Sequence, residues 1–291
     1  MQSGLVVVDK SAGWTSHDIV ARLRGVYGQR RVGHAGTLDP DATGVLLVGL
    51  GRLTRLLRFL QATDKEYVGE VVFGIATDTL DGAGTVTETT AMPVTRAEVE
   101  EATRGFLGAI EQVPPMVSAV KIGGRRLHEL AREGTEVDRP ARPVHIERID
   151  VEDFVPGAHP VARIRVVCGS GTYIRSLAAD LGAALGGPAH LGALRRVRVG
   201  TFTEADARTV DAVAADPAAA CLSPAVALRG LTPLVADAAT AVVVGHGSPV
   251  PDALVEPGEP GPFAVLDADG ALLAVYERRG SRLAPAVVLA E

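Results

Sequence analysis

The sequence contains only two cysteines among its 291 residues, and Cys168 and Cys221 lie far apart in the chain. Neither a disulfide framework nor a cysteine-based zinc site is indicated, and a reducing cytoplasm is the simplest compartment. None of the seven histidines belongs to an HxH, HExxH or Cys-His cluster. We therefore predict neither a disulfide-stabilised fold nor a metal site.

Long apolar runs are also missing, although apolar residues make up 47% of the chain. No uninterrupted run is long enough to span a membrane. The start, MQSGLVVVDK, lacks a basic region and has a short apolar run, so we expect no signal peptide. A chain of this length can bury the core of one large domain with a small one beside it.

The chain lacks the basic excess that is usual for nucleic-acid binders, because its formal net charge is −6. The acidity is concentrated after residue 202, where 12 acidic residues face 5 basic ones, against 23 and 24 before it. Each arginine cluster of the first part is either a solvated face or a nucleic-acid contact. The clusters are Arg22/Arg24/Arg30/Arg31, Arg52/Arg55/Arg58, Arg125/Arg126 and Arg195/Arg196/Arg198.

One glycine-rich loop is the most informative stretch of the sequence. Residues Gly33 to Gly44 read GHAGTLDPDATG, and such a loop lets backbone approach a ligand closely. Pro40 biases Asp39 towards an extended conformation. On these grounds alone, Asp39 could simply satisfy local amides in an Asx turn.

This loop closely resembles the signature of the TruB family, the tRNA pseudouridine-55 synthases, in which the aspartate is the catalytic nucleophile. Further segments resemble family motifs in the family's order, over residues 5 to about 200. They are Lys10 to Ser16, Lys65 to Tyr67, Thr77 to Gly84, Gln112 to Lys121, Gly171 to Arg175 and Leu194 to Arg196. The first of them departs from the family pattern at Ser11, where proline is usual.

The resemblance implies a role for particular residues of this sequence. Asp39, Tyr67 and Arg175 are expected to be catalytic, with Tyr67 stacking on the target base and Arg175 forming an ion pair that keeps Asp39 ionised. Substrate binding is expected from Tyr67 and also from His34, Tyr173, Leu194, Lys10 and Arg125.

The resemblance also implies an α+β fold, with a largely antiparallel sheet crossed by a central cleft. We predict a catalytic domain over residues 1–228, with an RNA-gripping insertion at about 123–143. Residues 229–291 resemble a PUA-like RNA-binding domain, although a purely structural β-rich appendage is an alternative. Locally, the sequence predicts helices capped by Ser16, Thr95 and Thr172, and a hairpin within Leu266 to Tyr276.

The implied function is isomerisation of uridine 55 in the T-loop of tRNA, by a monomer that needs no protein partner. This reaction needs no redox cofactor, ATP or metal, because one carboxylate nucleophile suffices. The nucleophile attacks either uracil C6 or ribose C1′. Two alternatives are a non-catalytic tRNA-binding or tRNA-folding protein, and an N-glycosylase that releases free base.

Overall fold

The computed structural model describes residues 2–118, 121–135 and 137–289. Its strands are Gly4–Lys10 (β1), Val32–His34 (β2), Thr43–Leu50 (β3), Lys65–Phe73 (β4), Ile75–Thr77 (β5), Val86–Thr89 (β6), Gly108–Gln112 (β7), Lys121–Ile122 (β8), Arg125–Arg126 (β9), Arg142–Val155 (β10), Val161–Cys168 (β11), Ala189–Val199 (β12), Phe202–Thr203 (β13), Cys221–Leu222 (β14), Thr232–Val235 (β15), Val250–Pro251 (β16), Phe263–Leu266 (β17), Leu272–Arg279 (β18) and Arg282–Val288 (β19).

The α-helices of the same part of the chain lie mostly between these strands. They are Ser16–Val26 (α1), Leu57–Gln61 (α2), Arg96–Arg104 (α3), Leu127–Arg132 (α4), Ile174–Ala184 (α5), Val210–Ala215 (α6), Pro217–Ala220 (α7), Pro224–Ala227 (α8) and Ala238–Gly245 (α9). Short 3-10 helices span Gly51–Arg55, Glu204–Asp206 and Asp252–Leu254. None of the helices described is both long and apolar enough to cross a membrane.

The larger sheet has the strand order β14-β1-β3-β12-β4-β11-β10-β7, with β2 added to β3 and β13 added to β12. Its pairings are antiparallel except between β12 and β3, which run parallel where Arg195 faces Thr43. The predicted mixed fold with a largely antiparallel sheet is confirmed. The parallel contact brings the loop that precedes β3 beside the middle of β12.

Both faces of β3 are buried, which explains its continuous apolar sequence. Neighbouring side chains on a strand point to opposite faces. Leu46 and Val48 join the core beneath α1 and α5, whereas Val45 and Leu47 join a second core with α2 and part of the C-terminal sheet. A strand buried on both faces has no polar alternation.

The smaller sheet has the order β15-β17-β18-β19-β16. Strands β17 and β18 form the predicted hairpin, and Asp267 accepts hydrogen bonds from the amides of Asp269 and Ala271 in its turn. The predicted division of the chain into one domain over residues 1–228 and another over residues 229–291 stays a prediction. Strands β5 and β6 form another hairpin, whose turn contains most of the Thr77 to Gly84 segment.

Three arginines that follow β3 bind the C-terminal segment of the chain. Arg52 donates to the Leu289 carbonyl at 2.9 Å, and Arg55 donates to the Val288 carbonyl at 2.8 Å. Arg58 adds a similar bond to β19. This arginine cluster therefore has a structural use, because its donors already bind backbone oxygens.

Two of the three predicted helix caps are wrong. Thr95 caps α3 in a capping box with Glu98, as predicted. Helix α1 is capped by Thr15 instead of Ser16, because Asp18 lies three residues after Thr15 and completes a capping box. Thr172 does not cap α5, since its hydroxyl donates to the Gly169 carbonyl in the preceding turn.

Candidate active site

A cavity of about 270 Å³ opens between the Gly33 to Gly44 loop, strands β4 and β12, and the start of α5. Its volume is close to the lower end of the range for small-molecule sites. Five of the eight residues singled out from the sequence line this cavity, although they come from separate parts of the chain. They are Asp39, Tyr67, Tyr173, Arg175 and Leu194.

A second cavity, of about 410 Å³, lies next to the first. Asp39, Arg175 and Leu194 line both cavities and therefore stand between them. The carboxylate of Asp39 is thus accessible from two adjoining spaces, and its side chain is 40% exposed.

The backbone on either side of Asp39 is held by two buried side chains. The Ser16 hydroxyl accepts a hydrogen bond from the Leu38 amide at 2.9 Å and donates to the Leu38 carbonyl at 3.1 Å. The Lys10 ammonium donates to the Pro40 carbonyl at 2.8 Å. Since these bonds flank Asp39, they fix where its side chain leaves the loop.

Arg196 holds the rest of this loop from beneath. It is 1% exposed, and it donates to the carbonyls of Val45 at 2.7 Å and Gly36 at 3.2 Å. Gly44 allows this close approach. Its φ is +100°, and an added Cβ would lie 2.2 Å from the Arg196 carbonyl oxygen, so no other residue fits there without a backbone shift.

Arg175 binds the Asp39 carboxylate with two nitrogens. Its Nε lies 3.0 Å from Oδ2, and its Nη2 donates to Oδ1 at 3.2 Å. The same guanidinium donates to the carbonyls of Thr79 at 3.0 Å and Val117 at 2.8 Å. Its Nη1 also lies 3.5 Å from Asp81. Arg175 is only 4% exposed, so its charge depends on these partners.

The pKa of Asp39 is raised above its ordinary value, contrary to the expectation that the ion pair would dominate. Burial raises the pKa most, Arg175 lowers it, and the negative charge of Asp81 raises it again. Asp81 was not singled out from the sequence. A signal for it was present, because it lies in the Thr77 to Gly84 segment that resembles a family motif.

Tyr67 is 8% exposed and lines the cavity from β4. Burial raises the pKa of its phenol, while the positive charge and hydrogen bond of Arg196 act in the opposite direction. Tyr67 is therefore a neutral aromatic ring whose hydroxyl lies against a guanidinium.

Tyr173 is positioned by Gln112, which was not singled out from the sequence although it begins the Gln112 to Lys121 segment that resembles a family motif. The Gln112 side chain accepts a hydrogen bond from the Tyr173 amide at 2.7 Å and donates to the Tyr173 carbonyl at 3.0 Å. In the first turn of α5, the Ser176 hydroxyl donates to the Val113 carbonyl at 2.8 Å. These bonds hold the segment after β7 against the start of α5.

The remaining three candidates do not line either cavity. Lys10 is fully buried, and burial lowers its pKa to about 8, so its contacts support a role in holding the loop. His34 lies in β2 with its ring against that of His17, with centroids 5.3 Å apart. Arg125 is on the insertion, paired with Glu133.

Arg196, in the last arginine cluster, is neither solvated nor placed to contact phosphate, because its side chain is buried beneath the loop. Its neighbours in the cluster have carboxylate partners. Arg195 lies 3.0 Å from Asp9, and Arg198 lies 2.6 Å from Asp64. Most of this cluster's charge is therefore neutralised within the protein. The side chain of Arg126 lies outside the described residues.

Comparison with known proteins agrees with the order of the motifs. A model of the TruB family pseudouridylate synthase N-terminal domain matches residues 24–174. The chain belongs to this family. A tRNA pseudouridylate synthase B C-terminal domain model matches residues 175–230, and a tRNA pseudouridine synthase II C-terminal model matches residues 234–290.

Curated members of the TruB family resemble the chain over most of its length. The tRNA pseudouridine synthase B of Thermobifida fusca is 46% identical over 300 residues, which cover 100% of this chain and 99% of that protein. The protein of the same name from Symbiobacterium thermophilum is 49% identical over 245 residues, which cover 84% of this chain and 82% of that protein.

Solved structures show the same TruB-like fold. A chain in a Cbf5-Nop10-Gar1 complex is 27% identical with a TM-score of 0.75, over 98% of this chain and 84% of that one. A chain in an H/ACA RNP bound to a substrate RNA containing 2′-deoxyuridine has the same TM-score at 22% identity, over 99% and 85% of the two chains. Because its identity is only 22%, the chain of the H/ACA RNP supports the fold alone.

We expect Ser16→Ala to lower the free energy of unfolding by about 1–3 kcal/mol, because it leaves the buried amide and carbonyl of Leu38 without their partner. Urea denaturation measures this loss. Ser11→Ala is the matched control, since that side chain is exposed, and it should be near neutral. Equal stability of the two variants would show that the Ser16 bonds do not hold the loop.

We expect the Asp39 carboxyl to titrate above 3.8, its ordinary pKa, because its partial burial in the cleft disfavours the charged form. Asp81→Asn should lower this pKa, since it removes a neighbouring negative charge. Asp78→Asn, in the same hairpin, is the control and should leave it unchanged. Carbon NMR of labelled aspartate across pH measures all three, and a pKa for Asp39 at or below 3.8 would contradict the prediction.

Proposed function

We propose that this protein converts uridine to pseudouridine at position 55, in the T-loop of tRNA. Membership of the TruB family gives the reaction class, and curated relatives at up to 49% identity are tRNA pseudouridine synthases. The observation that carries the proposal is the Asp39 carboxylate, which is held by Arg175 at the edge of a cavity lined by Tyr67.

The reaction rearranges bonds within one nucleotide. The bond from uracil N1 to ribose C1′ breaks, and a bond from C5 to C1′ forms. C5 loses a proton and N1 gains one, so there is no net oxidation or reduction. Asp39 acts as the nucleophile that holds the intermediate covalently, at uracil C6 or at ribose C1′.

Arg175 orients the nucleophile for this attack. Two of its nitrogens bind the two carboxylate oxygens of Asp39, and a planar guanidinium fixes a carboxylate better than a point charge does. The raised pKa of Asp39 also has a use in attack. A carboxylate that is less stabilised by its surroundings binds a carbon centre more readily than a strongly solvated one.

The target uridine has to leave its stack before Asp39 can reach it, which is a base-flipping step. Tyr67 offers an aromatic face to the flipped base, and such stacking is worth roughly 1–3 kcal/mol. Leu194, between the two cavities, contacts the flipped nucleotide. Tyr173 forms another part of the pocket wall.

Tyr67 also assists removal of the C5 proton. Burial disfavours a phenolate, so a lone buried tyrosine would be a poor base. The guanidinium of Arg196 lies against its hydroxyl and stabilises the negative charge that develops as the proton moves. The two residues therefore act together.

Binding of the T-arm involves the insertion at 123–143 and the surroundings of the cleft. The exposed ion pair of Arg125 with Glu133 can be exchanged for a phosphate contact, because surface pairs contribute little stability. His34 contacts the RNA near the flipped nucleotide. The catalytic part is residues 1–228, residues 229–291 act as a PUA-like RNA-binding domain, and the protein acts as a monomer in the cytoplasm.

The direct test is incubation of the purified protein with unmodified tRNA, without added cofactor, followed by mapping of pseudouridine. The proposal expects stoichiometric conversion at position 55 and no free base. Release of free uracil would instead indicate an N-glycosylase. Tight tRNA binding without modification would indicate a non-catalytic RNA-binding protein.

We expect Asp39→Asn to abolish isomerisation, because an amide is not a competent nucleophile. Its affinity for tRNA should stay within about tenfold of wild type, roughly 1.4 kcal/mol. Asp41→Asn is the control, since it changes an exposed carboxylate of the same loop and should retain activity. Turnover by Asp39→Asn above a few per cent of wild type would refute the assignment of the nucleophile.

We expect Tyr67→Phe to bind tRNA normally but to react slowly, because it keeps the ring and loses the hydroxyl. Tyr67→Leu should impair both binding and rate, since it also loses the stacking surface. Single-turnover rates and tRNA affinities separate the two effects. Equal rates for wild type and Tyr67→Phe would remove the proton-transfer role and leave stacking alone.

A further inference from the structure

The arginines of the first cluster have no carboxylate partner among the described residues. Arg22, Arg24, Arg30 and Arg31 are all exposed, and no ion pair joins any of them to another residue of the described ranges. By contrast, Arg195 and Arg198 bind carboxylates, while the cluster at 52–58 binds backbone carbonyls. The charge of the first cluster therefore remains available to a ligand.

Three of these arginines lie near the start of β2, the short strand that is added to β3 in the larger sheet. Arg24 is in the last turn of α1, and its Nη2 donates to the Val32 carbonyl at 3.4 Å. Arg30 and Arg31 immediately precede Val32, the first residue of β2. Arg22, by contrast, lines a separate cavity with Trp14 and residues of α6, so it is not part of this group.

Strand β2 is continuous in sequence with the loop that carries Asp39. Strand β2 ends at His34, within the Gly33 to Gly44 loop. The His34 ring packs edge-on against His17 of α1, with an interplanar angle of 83°. We call His17, Arg24, Arg30, Arg31 and His34 the α1–β2 strip.

The chemistry of the strip suits a nucleic-acid backbone. Guanidinium groups bind phosphate oxygens in a bidentate manner, and imidazole rings offer faces to bases. Burial lowers the pKa of His34, which keeps its ring uncharged at neutral pH. The nearby carboxylate of Asp18 is bound within its own helix cap, since it accepts hydrogen bonds from the amide and hydroxyl of Thr15.

From this arrangement we infer that the α1–β2 strip is a second phosphate-binding surface, along which the tRNA backbone continues from the flipped nucleotide. The inference rests on the proposed function and extends it. The RNA would then be held from two sides, by the insertion and by this strip. The alternative is that these residues form an ordinary solvated arginine face, and the following experiment distinguishes the two.

The test compares tRNA affinity across salt concentrations for wild type and for the triple variant Arg24→Gln/Arg30→Gln/Arg31→Gln. Each phosphate contact with single-stranded RNA contributes about 0.7 to the slope of log Kd against log salt. The triple variant should therefore lose up to about two units of slope, and its affinity should fall by about tenfold or more at low salt.

The matched control is Arg104→Gln/Arg148→Gln/Arg163→Gln, which removes the same charge from exposed arginines that already have carboxylate partners. It should leave the slope close to wild type. Arg24→Lys/Arg30→Lys/Arg31→Lys should retain most of the slope, because lysine also binds phosphate as a point charge. Thermal unfolding of every variant checks that each is folded.

Equal slopes for the glutamine triple variant and its control would overturn the inference. So would a lysine variant that loses as much slope as the glutamine variant, because the effect would then not depend on charge. Pseudouridine formation by the wild-type protein is scored separately. If the wild-type protein forms no pseudouridine, the proposed function is refuted. If it does, and the glutamine triple variant has the same salt slope as its control, only the inference about the α1–β2 strip is refuted.

Discussion

A buried guanidinium has to satisfy all of its donors within the protein, and this constraint organises the active site around Arg175. The side chain is only 4% exposed, and an unpaired charge at such a position would be strongly destabilising. Its partners come from the Asp39 loop, the β5–β6 hairpin and the segment after β7. Satisfying one charge therefore brings three distant segments together at the point where the nucleophile stands.

Arg196 serves the loop in a similar way from the other side. It binds carbonyls on both sides of Asp39 and also lies against Tyr67. Lys10 and Ser16 bind the backbone immediately beside Asp39. The loop itself has few apolar side chains, so buried polar groups, rather than hydrophobic packing, determine its shape. Such a network holds one geometry well when every member is bonded.

These internal uses also explain how a protein with a net charge of −6 can be so rich in arginine without presenting a uniformly basic surface. Arg52 and Arg55 attach the C-terminal segment, and Arg195 and Arg198 are paired with carboxylates. Net charge counts all of these equally. Binding of a polyanion depends on the smaller set of cationic side chains that have no partner within the protein, and on where those side chains lie.

The sequence by itself determined features whose causes are local in the chain. The Thr95 capping box joins residues three apart, and the β17–β18 hairpin follows from its short turn. The Gly33 to Gly44 string and the Gly171 to Arg175 segment, through their resemblance to a family, also indicated Asp39 and Arg175. Tertiary structure alone decided the rest, because the causes lie far apart in sequence. Ser16 was predicted to cap a helix but binds Leu38. Arg196 belongs to a cluster that was predicted to be a solvated face or a nucleic-acid contact, but it is buried beneath the loop. A side chain's type and its neighbours in sequence do not reveal which distant carbonyl it will meet when the sheet forms.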